Sequence, residues 1–166
     1  GIDILRGTNA KCVGKHKLAS LFKREETIKF TVVRDPFTRV VSFYNYTAKK
    51  KYNCTFSEFL HYYLHKNEIL PQVLWIYNQI QKRPGDRYSV KEICEGLDYT
   101  YPIVTKIFKL ERIHELKEYF NIPVKSVFPK ENVSTLDKYK SYYTPELKNI
   151  VYKHFEYDFI KLGYQL

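Results

Sequence analysis

The sequence predicts an α/β domain with a mainly parallel sheet flanked by helices, with residues 1–166 forming a single unit. Three observations carry this. The stretch Ile28-Lys29-Phe30-Thr31-Val32-Val33 is a short apolar, β-branched run of the kind a buried strand requires. A second alternating run, Ile103 to Leu110, is followed at once by helical spacing from Glu111 to Phe120, so strand-then-helix order occurs twice. A chain of 166 residues with 44% hydrophobic content is long enough to bury one core.

The first strand–helix unit, Ile28 to Tyr46, concentrates the chemistry. The apolar run closes on Arg34, read as the last strand residue. Asp35 is a preferred N-cap, and Pro36 suits the first helical position, where its missing N–H costs nothing. In open α/β sheets, ligands bind in the crevice at this end of the strands, so the Arg34 guanidinium is expected to reach into it. Arg39 and Ser42 are three apart on the following helix and share a face. An arginine and a hydroxyl converging beside a helix N-terminus describe a phosphate or sulfate site.

The other elements follow in order. Residues 1–14 form a loop: Lys11-Cys12-Val13-Gly14-Lys15 has the flavour of a phosphate loop, but no strand precedes it and the GxxxxGK[ST] spacing is absent. His16 to Lys23 reads as a short helix with Leu18, Leu21 and Phe22 on one side. Val40, Val41, Phe43 and Tyr44 are the packing residues of the helix after Pro36, and Ala48 to Asn53 reads as a basic loop. Thr55-Phe-Ser-Glu58 has the form of a capping box, continued at helical spacing by Phe56, Phe59, Leu60, Tyr63 and Leu64. His61 and His65 have the i, i+4 spacing of a metal pair but no third ligand, so this is read as a surface helix. Pro71 opens a helix that carries the only Trp, Trp75, as a core residue; Lys82 to Tyr88 is a turn; Val90 to Leu97 is a short helix ending near Gly96. Val124 to Ser134 reads as a strand and a polar, basic loop. Thr144-Pro145-Glu146 starts the last helix, whose apolar stripe is Leu147, Ile150, Val151, His154 and Phe155, and Gly163 ends it before a docking tail.

Bulk composition narrows the partners. A net charge of +10 favours anionic ones: nucleotides, sulfated or carboxylated glycans, nucleic acid or lipid headgroups. None of the common nucleic-acid motifs occurs, and the aromatics fall at helix-core spacings rather than as a stacking row, so no nucleic-acid partner is expected. Cys12, Cys54 and Cys94 are far apart and odd in number, which predicts idle thiols, no disulfide framework and no metal site. Asn45, Asn53 and Asn132 head formal glycosylation sequons, of the kind that chance produces in a chain rich in Asn, Lys and Tyr. No apolar run reaches membrane-spanning length and no leader is visible, so the expected compartment is cytoplasmic, with a Golgi-lumenal location as the alternative if an N-terminal anchor was removed. The chain lacks methionine, even at position 1, as expected either of a chain trimmed at its start or of a sequence from which modified residues are missing.

The stretch VVRDPFTRVVSFYNY, Val32 to Tyr46, closely resembles the 3′-phosphate-binding motif of the sulfotransferases, in the VRnPxxRlvSxY form of their carbohydrate (family 2) branch. The Arg34-to-Ser42 spacing agrees with that motif. Gly14-Lys15-His16, Pro71-Gln72 with Trp75-Ile76, Pro129 to Ser134 and the ending from Tyr142-Tyr143 to Gly163-Tyr164 are weaker matches in the right order. The resemblance implies a P-loop-like three-layer fold that takes 3′-phosphoadenosine 5′-phosphosulfate as co-substrate, needs no metal, and transfers its sulfuryl group to an acceptor hydroxyl, commonly on a glycan. It assigns Arg34 and Ser42 to the 3′-phosphate. Arg39 also matches the motif, either touching the ligand or bracing the site. His16 becomes the candidate catalytic base, and Lys15 or Lys17 the source of leaving-group charge, with Lys15 carried as a cofactor contact. The family's other cofactor element, a PKxGxTxL-type loop after the first strand, is not found in its place: Lys11 to Gly14 lies too near the 3′-phosphate strand and lacks the following Thr or Ser. The expected fold therefore stands without its first strand and loop. The rival readings are a non-catalytic basic module for nucleic acid or polyanionic glycan, and a kinase of similar fold, which would need a Walker-type Lys and a magnesium-binding group that are not placed here.

Overall fold

The computed structural model describes residues 28–66, 69–77, 89–123 and 139–165. The loop of residues 1–14, the helix from His16, the turn at Lys82 to Tyr88 and the strand from Val124 lie outside them.

Two parallel strands anchor the architecture. β1, Phe30–Val33, pairs with β2, Lys106–Lys109, in a register that sets Phe30 opposite Lys106 and Val33 opposite Lys109. Parallel pairing demands a long crossover, and the described residues of the intervening chain are helical wherever they are regular. β2 is shorter than the alternating run Ile103 to Leu110. Ile103 is instead bonded through its N–H to the Ile76 carbonyl at 2.7 Å, and Leu110 already begins a tight 3₁₀ turn, Leu110–Arg112. Likewise β1 stops at Val33 and not at Arg34, whose main chain is paired by a side chain (below). The fold is thus a mixed α/β one whose described residues carry a two-stranded parallel sheet.

Helix α1, Pro36–Phe43, starts as its residues dictate: the Asp35 side chain accepts from the Thr38 N–H, and Pro36 opens the helix. It does not give way to the expected basic loop. A wider π-helical turn, Tyr44–Ala48, leads into α2, Lys49–Tyr52, which ends where Asn53 adopts the left-handed conformation at φ 46°. Two causes override the basic composition. Tyr44 and Ala48 extend the buried stripe of Val40 and Val41, and Lys49, Lys50 and Lys51 sit at the helix C-terminus, where the backbone dipole favours cations. Asn is one of the few residues other than Gly that adopts this left-handed conformation readily.

The Thr55–Glu58 capping box forms with both of its reciprocal bonds and starts α3, Phe56–Glu58, which runs on through π-helical and 3₁₀ turns to Lys66. Ser89 and Glu92 make a second such box at the start of α5, Val90–Glu95, after α4, Val73–Tyr77. α6, His114–Tyr119, follows β2. The last helix, α7, Pro145–Leu162, is capped by Thr144, bends at Phe155 (φ −113°, ψ 21°) and ends at Gly163 with φ 64°, a conformation that favours glycine.

Among the described residues, burial divides into three clusters. Phe37, Val40, Val41 and Tyr44 pack with Phe56, Phe59, Leu60 and Leu64 against Leu147, Val151, Phe155 and Phe159 of α7. Val33, Val73, Ile76, Ile93, Cys94 and Leu162 form a second cluster behind β1, and Phe108, Leu116 and Ile122 a third beneath Phe30. Trp75, expected in the core, is only half-buried. Tyr164 docks as expected, between the first two clusters. Cys54 and Cys94 are free thiols, and burial pushes Cys94 up to about 12. No helix among the described residues is long and apolar enough to cross a membrane.

Candidate anion site at the strand–helix junction

The junction after β1 is built by side chains from four parts of the chain. Arg34 follows Val33 directly, and its Nε donates to Thr38 Oγ1 at 3.0 Å, tying the guanidinium to the first turn of α1. Thr38 Oγ1 in turn donates to the Asp35 carbonyl at 3.0 Å. Ser42 lies one turn beyond Thr38, so these two share one face of α1, and the Arg34 side chain, tied to Thr38 from outside the helix, continues their line as a ridge. Ser42 is half-buried, and among the described residues none hydrogen-bonds its hydroxyl. A guanidinium, a hydroxyl and a helix N-terminus on one line suit an anion with several acceptor oxygens.

Arg39, expected to share the ligand side with Ser42, is turned into the fold. Its Nη1 donates to the Leu70 carbonyl at 2.8 Å and stands 3.9 Å from Asp158 Oδ2, with the guanidinium 5.7 Å from the centre of the Phe155 ring. That is the geometry of a brace. Burial draws Arg39 below its ordinary range, and Asp158 opposes the shift.

Behind the ridge lies a network that the sequence reading did not identify. Asp158 on α7 is fully buried. Its two carboxylate oxygens accept from the main-chain N–H of Gln72 at 2.8 Å and of Val73 at 2.9 Å. Burial pushes its carboxyl up, and Arg39 and these N–H bonds pull it back. Gln72, also buried, accepts from the Arg34 N–H through Oε1 at 2.9 Å and donates to the Arg34 carbonyl through Nε2 at 2.7 Å. On the other side, Glu111 Oε1 accepts from the Asp35 N–H at 2.8 Å, and the Tyr164 hydroxyl reaches Glu111 Oε2 at 3.4 Å. Burial lowers the Arg34 pKa, while the charges of Glu111 and Asp35 raise it, and a guanidinium stays charged throughout. Pro71-Gln72 was legible only as a sequence echo. Asp158 had one faint signal: it extends the buried stripe Val151, Phe155, Leu162, where an acid is out of place.

The remaining candidates divide. His16 and Lys15 lie outside the described residues. His61 is a surface residue whose Nδ1 donates to the Ser57 carbonyl at 2.8 Å and whose Nε2 is 3.7 Å from Glu146. His154 is packed on α7 with Nε2 donating to the Ile69 carbonyl at 3.1 Å. Among the described residues, no group of three or more His, Cys, Asp or Glu side chains could hold a metal.

Comparison with known families agrees with the motif at this junction. The model of the sulfotransferase family, family 2, matches residues 7–165. No curated protein and no solved structure matches the chain. The family match covers almost the whole length, from before the strand–helix junction to the docked tail, and on that basis the chain belongs to the sulfotransferase family.

Proposed function

We propose that this chain, as a single P-loop-like domain over residues 1–166, moves a sulfuryl group from 3′-phosphoadenosine 5′-phosphosulfate to an acceptor hydroxyl on a carbohydrate. The observation that carries the reading is the Arg34–Thr38–Ser42 ridge at the end of a parallel strand, in a chain of the sulfotransferase family. The donor set fits the nucleotide's 3′-phosphate: Arg34 supplies a charged donor, Ser42 a hydroxyl, and Arg39 holds α1 against α7 from behind.

The co-substrate supplies the sulfuryl group: a bond forms between the acceptor oxygen and sulfur, the bond from sulfur to the 5′-phosphate oxygen breaks, and adenosine 3′,5′-bisphosphate departs. The chain's residues do the rest. His16 takes the acceptor's proton, which suits a side chain that titrates near neutrality. Lys15 balances the charge that gathers on the departing phosphate. Arg34 and Ser42 fix the nucleotide so that sulfur and hydroxyl stay in line. The net charge of +10 and the exposed Lys49, Lys50, Lys51 and Lys66 around the stacked Tyr52 and Tyr63 rings support an anionic glycan as acceptor.

The test is transfer of radiolabelled sulfate from the nucleotide donor to a panel of glycans. Label in a glycan is the expected result. His16→Ala should reduce turnover at least a hundredfold and leave the affinity for adenosine 3′,5′-bisphosphate within a factor of about two. Unimpaired turnover in His16→Ala would remove the base assignment.

A further inference from the structure

We infer that Gln72 is a positioning residue for Arg34: its carboxamide pairs with both main-chain groups of that arginine and fixes the point from which the guanidinium reaches the nucleotide. The inference rests on the reading that Arg34 holds the donor's 3′-phosphate.

Arg34 stands one residue past the end of β1, half-buried, and its main-chain N–H and carbonyl call for hydrogen-bond partners. Gln72 meets both at once, accepting from the N–H at 2.9 Å and donating to the carbonyl at 2.7 Å. A side-chain amide here does what a residue of a neighbouring strand would do. It holds the Arg34 main chain in place before the chain turns into Asp35 and Pro36.

The amide is itself held. Its Nε2 lies 3.3 Å from Asp158 Oδ2, which also accepts the Gln72 main-chain N–H at 2.8 Å. Asp158 is anchored in turn by the Val73 N–H and by Arg39. The position of Arg34 is therefore set by α7 through two buried side chains, Asp158 and Gln72, joined to each other and to Arg34 by hydrogen bonds. Only a glutamine has the right groups at this reach. Glutamate offers two acceptors, cannot donate to the Arg34 carbonyl and sets a second carboxylate against Asp158. Asparagine is one methylene shorter. Since a misplacement of about 1 Å in a positioning contact can cost up to about a hundredfold in function, a loosened Arg34 should show in ligand discrimination.

The experiment compares dissociation constants for adenosine 3′,5′-bisphosphate and adenosine 5′-phosphate, whose ratio isolates the 3′-phosphate. It uses the wild-type chain, Arg34→Ala, Gln72→Met and the double variant, with Val151→Ala as an apolar core substitution outside the polar network. Gln72→Met is expected to weaken bisphosphate binding at least tenfold and 5′-phosphate binding less than twofold. In the Arg34→Ala background, Gln72→Met should cost the ratio nothing further. Val151→Ala should lower Tm and leave the ratio unchanged, which a merely structural role for Gln72 would also predict for Gln72→Met. Gln72→Asn carries the same comparison should Gln72→Met not fold. A wild-type ratio in the Gln72 variants, with Arg34→Ala effective, overturns the inference. An unchanged ratio in Arg34→Ala overturns the donor-site reading itself, and the positioning role falls with it.

Discussion

Around Arg34 the fold is held by directional bonds among buried polar groups, whereas around Phe59 it is held by rings that touch from several sides. Phe59 lies against Phe43, Tyr44 and Phe56, and Phe56 meets Tyr142 and Tyr143 edge-on at 5.1 and 5.2 Å. Such contacts depend on volume and area and admit small readjustments. The Asp158–Gln72–Arg34 chain does not, because each member fills a donor or acceptor position of the next. The comparison teaches where precision is invested: the aromatic cluster secures the fold, and the polar chain secures one main-chain position beside the candidate anion site.

The sharpest way to break the comparison is to empty its polar side. Asp158→Ala leaves Arg39 without its buried partner and the Gln72 and Val73 N–H groups unpaired, and should cost about 3–5 kcal/mol in urea unfolding. Asp158→Asn, nearly the same shape, should still cost about 1–3 kcal/mol, because its NH₂ group meets a donor. The aromatic side should forgive a comparable shape change. Phe59→Leu keeps the site apolar but removes ring volume, and should cost about 1–2 kcal/mol, less than Asp158→Ala, in the same assay. Equal losses for Phe59→Leu and Asp158→Ala would erase the distinction.

The smallest effect concerns the cap of α1. Burial holds the Asp35 carboxyl above its ordinary 3.8, against the opposing bond from Thr38. The folded state therefore binds more protons than the unfolded one between 3.8 and the raised value, so this group's stabilising contribution is complete below 3.8 and is lost as pH rises through that window. Asn caps as well as Asp and does not titrate. Relative to the wild-type chain, Asp35→Asn should gain stability as pH rises through the window and then hold a constant difference below about 1 kcal/mol. A difference that is the same in acid as at neutrality contradicts the assignment.

What could be read in the sequence, and what could not, follows interaction range. The Asp35-Pro36 start, the Thr55 capping box, the Thr144-Pro145 start and the Gly163 stop are all written in residues within four positions of one another, and all form. The strand–helix order and the parallel pairing were legible from apolar runs. The basic run after Ala48 was misread because its charges were weighed above the buried stripe beneath them. Gln72 and Asp158 were not legible as site residues, because their partners lie 38 and 86 positions away and a single amide or carboxylate has no period. Arg39 was legible as important but not in its direction, since a shared helix face with Ser42 does not tell which way a long side chain turns.

The central claim is that the ridge from Arg34 to Ser42 receives the 3′-phosphate of a nucleotide sulfate donor. Titration calorimetry of the wild-type chain and of Arg34→Ala with adenosine 3′,5′-bisphosphate tests it most directly. The account predicts saturable one-to-one binding by the wild-type chain and a loss of at least about 2 kcal/mol of binding free energy in Arg34→Ala, the order expected when a charge-assisted phosphate contact is removed. Equal affinities for the two proteins, or heat that vanishes with added salt alike for the bisphosphate and for any other polyanion, would contradict it.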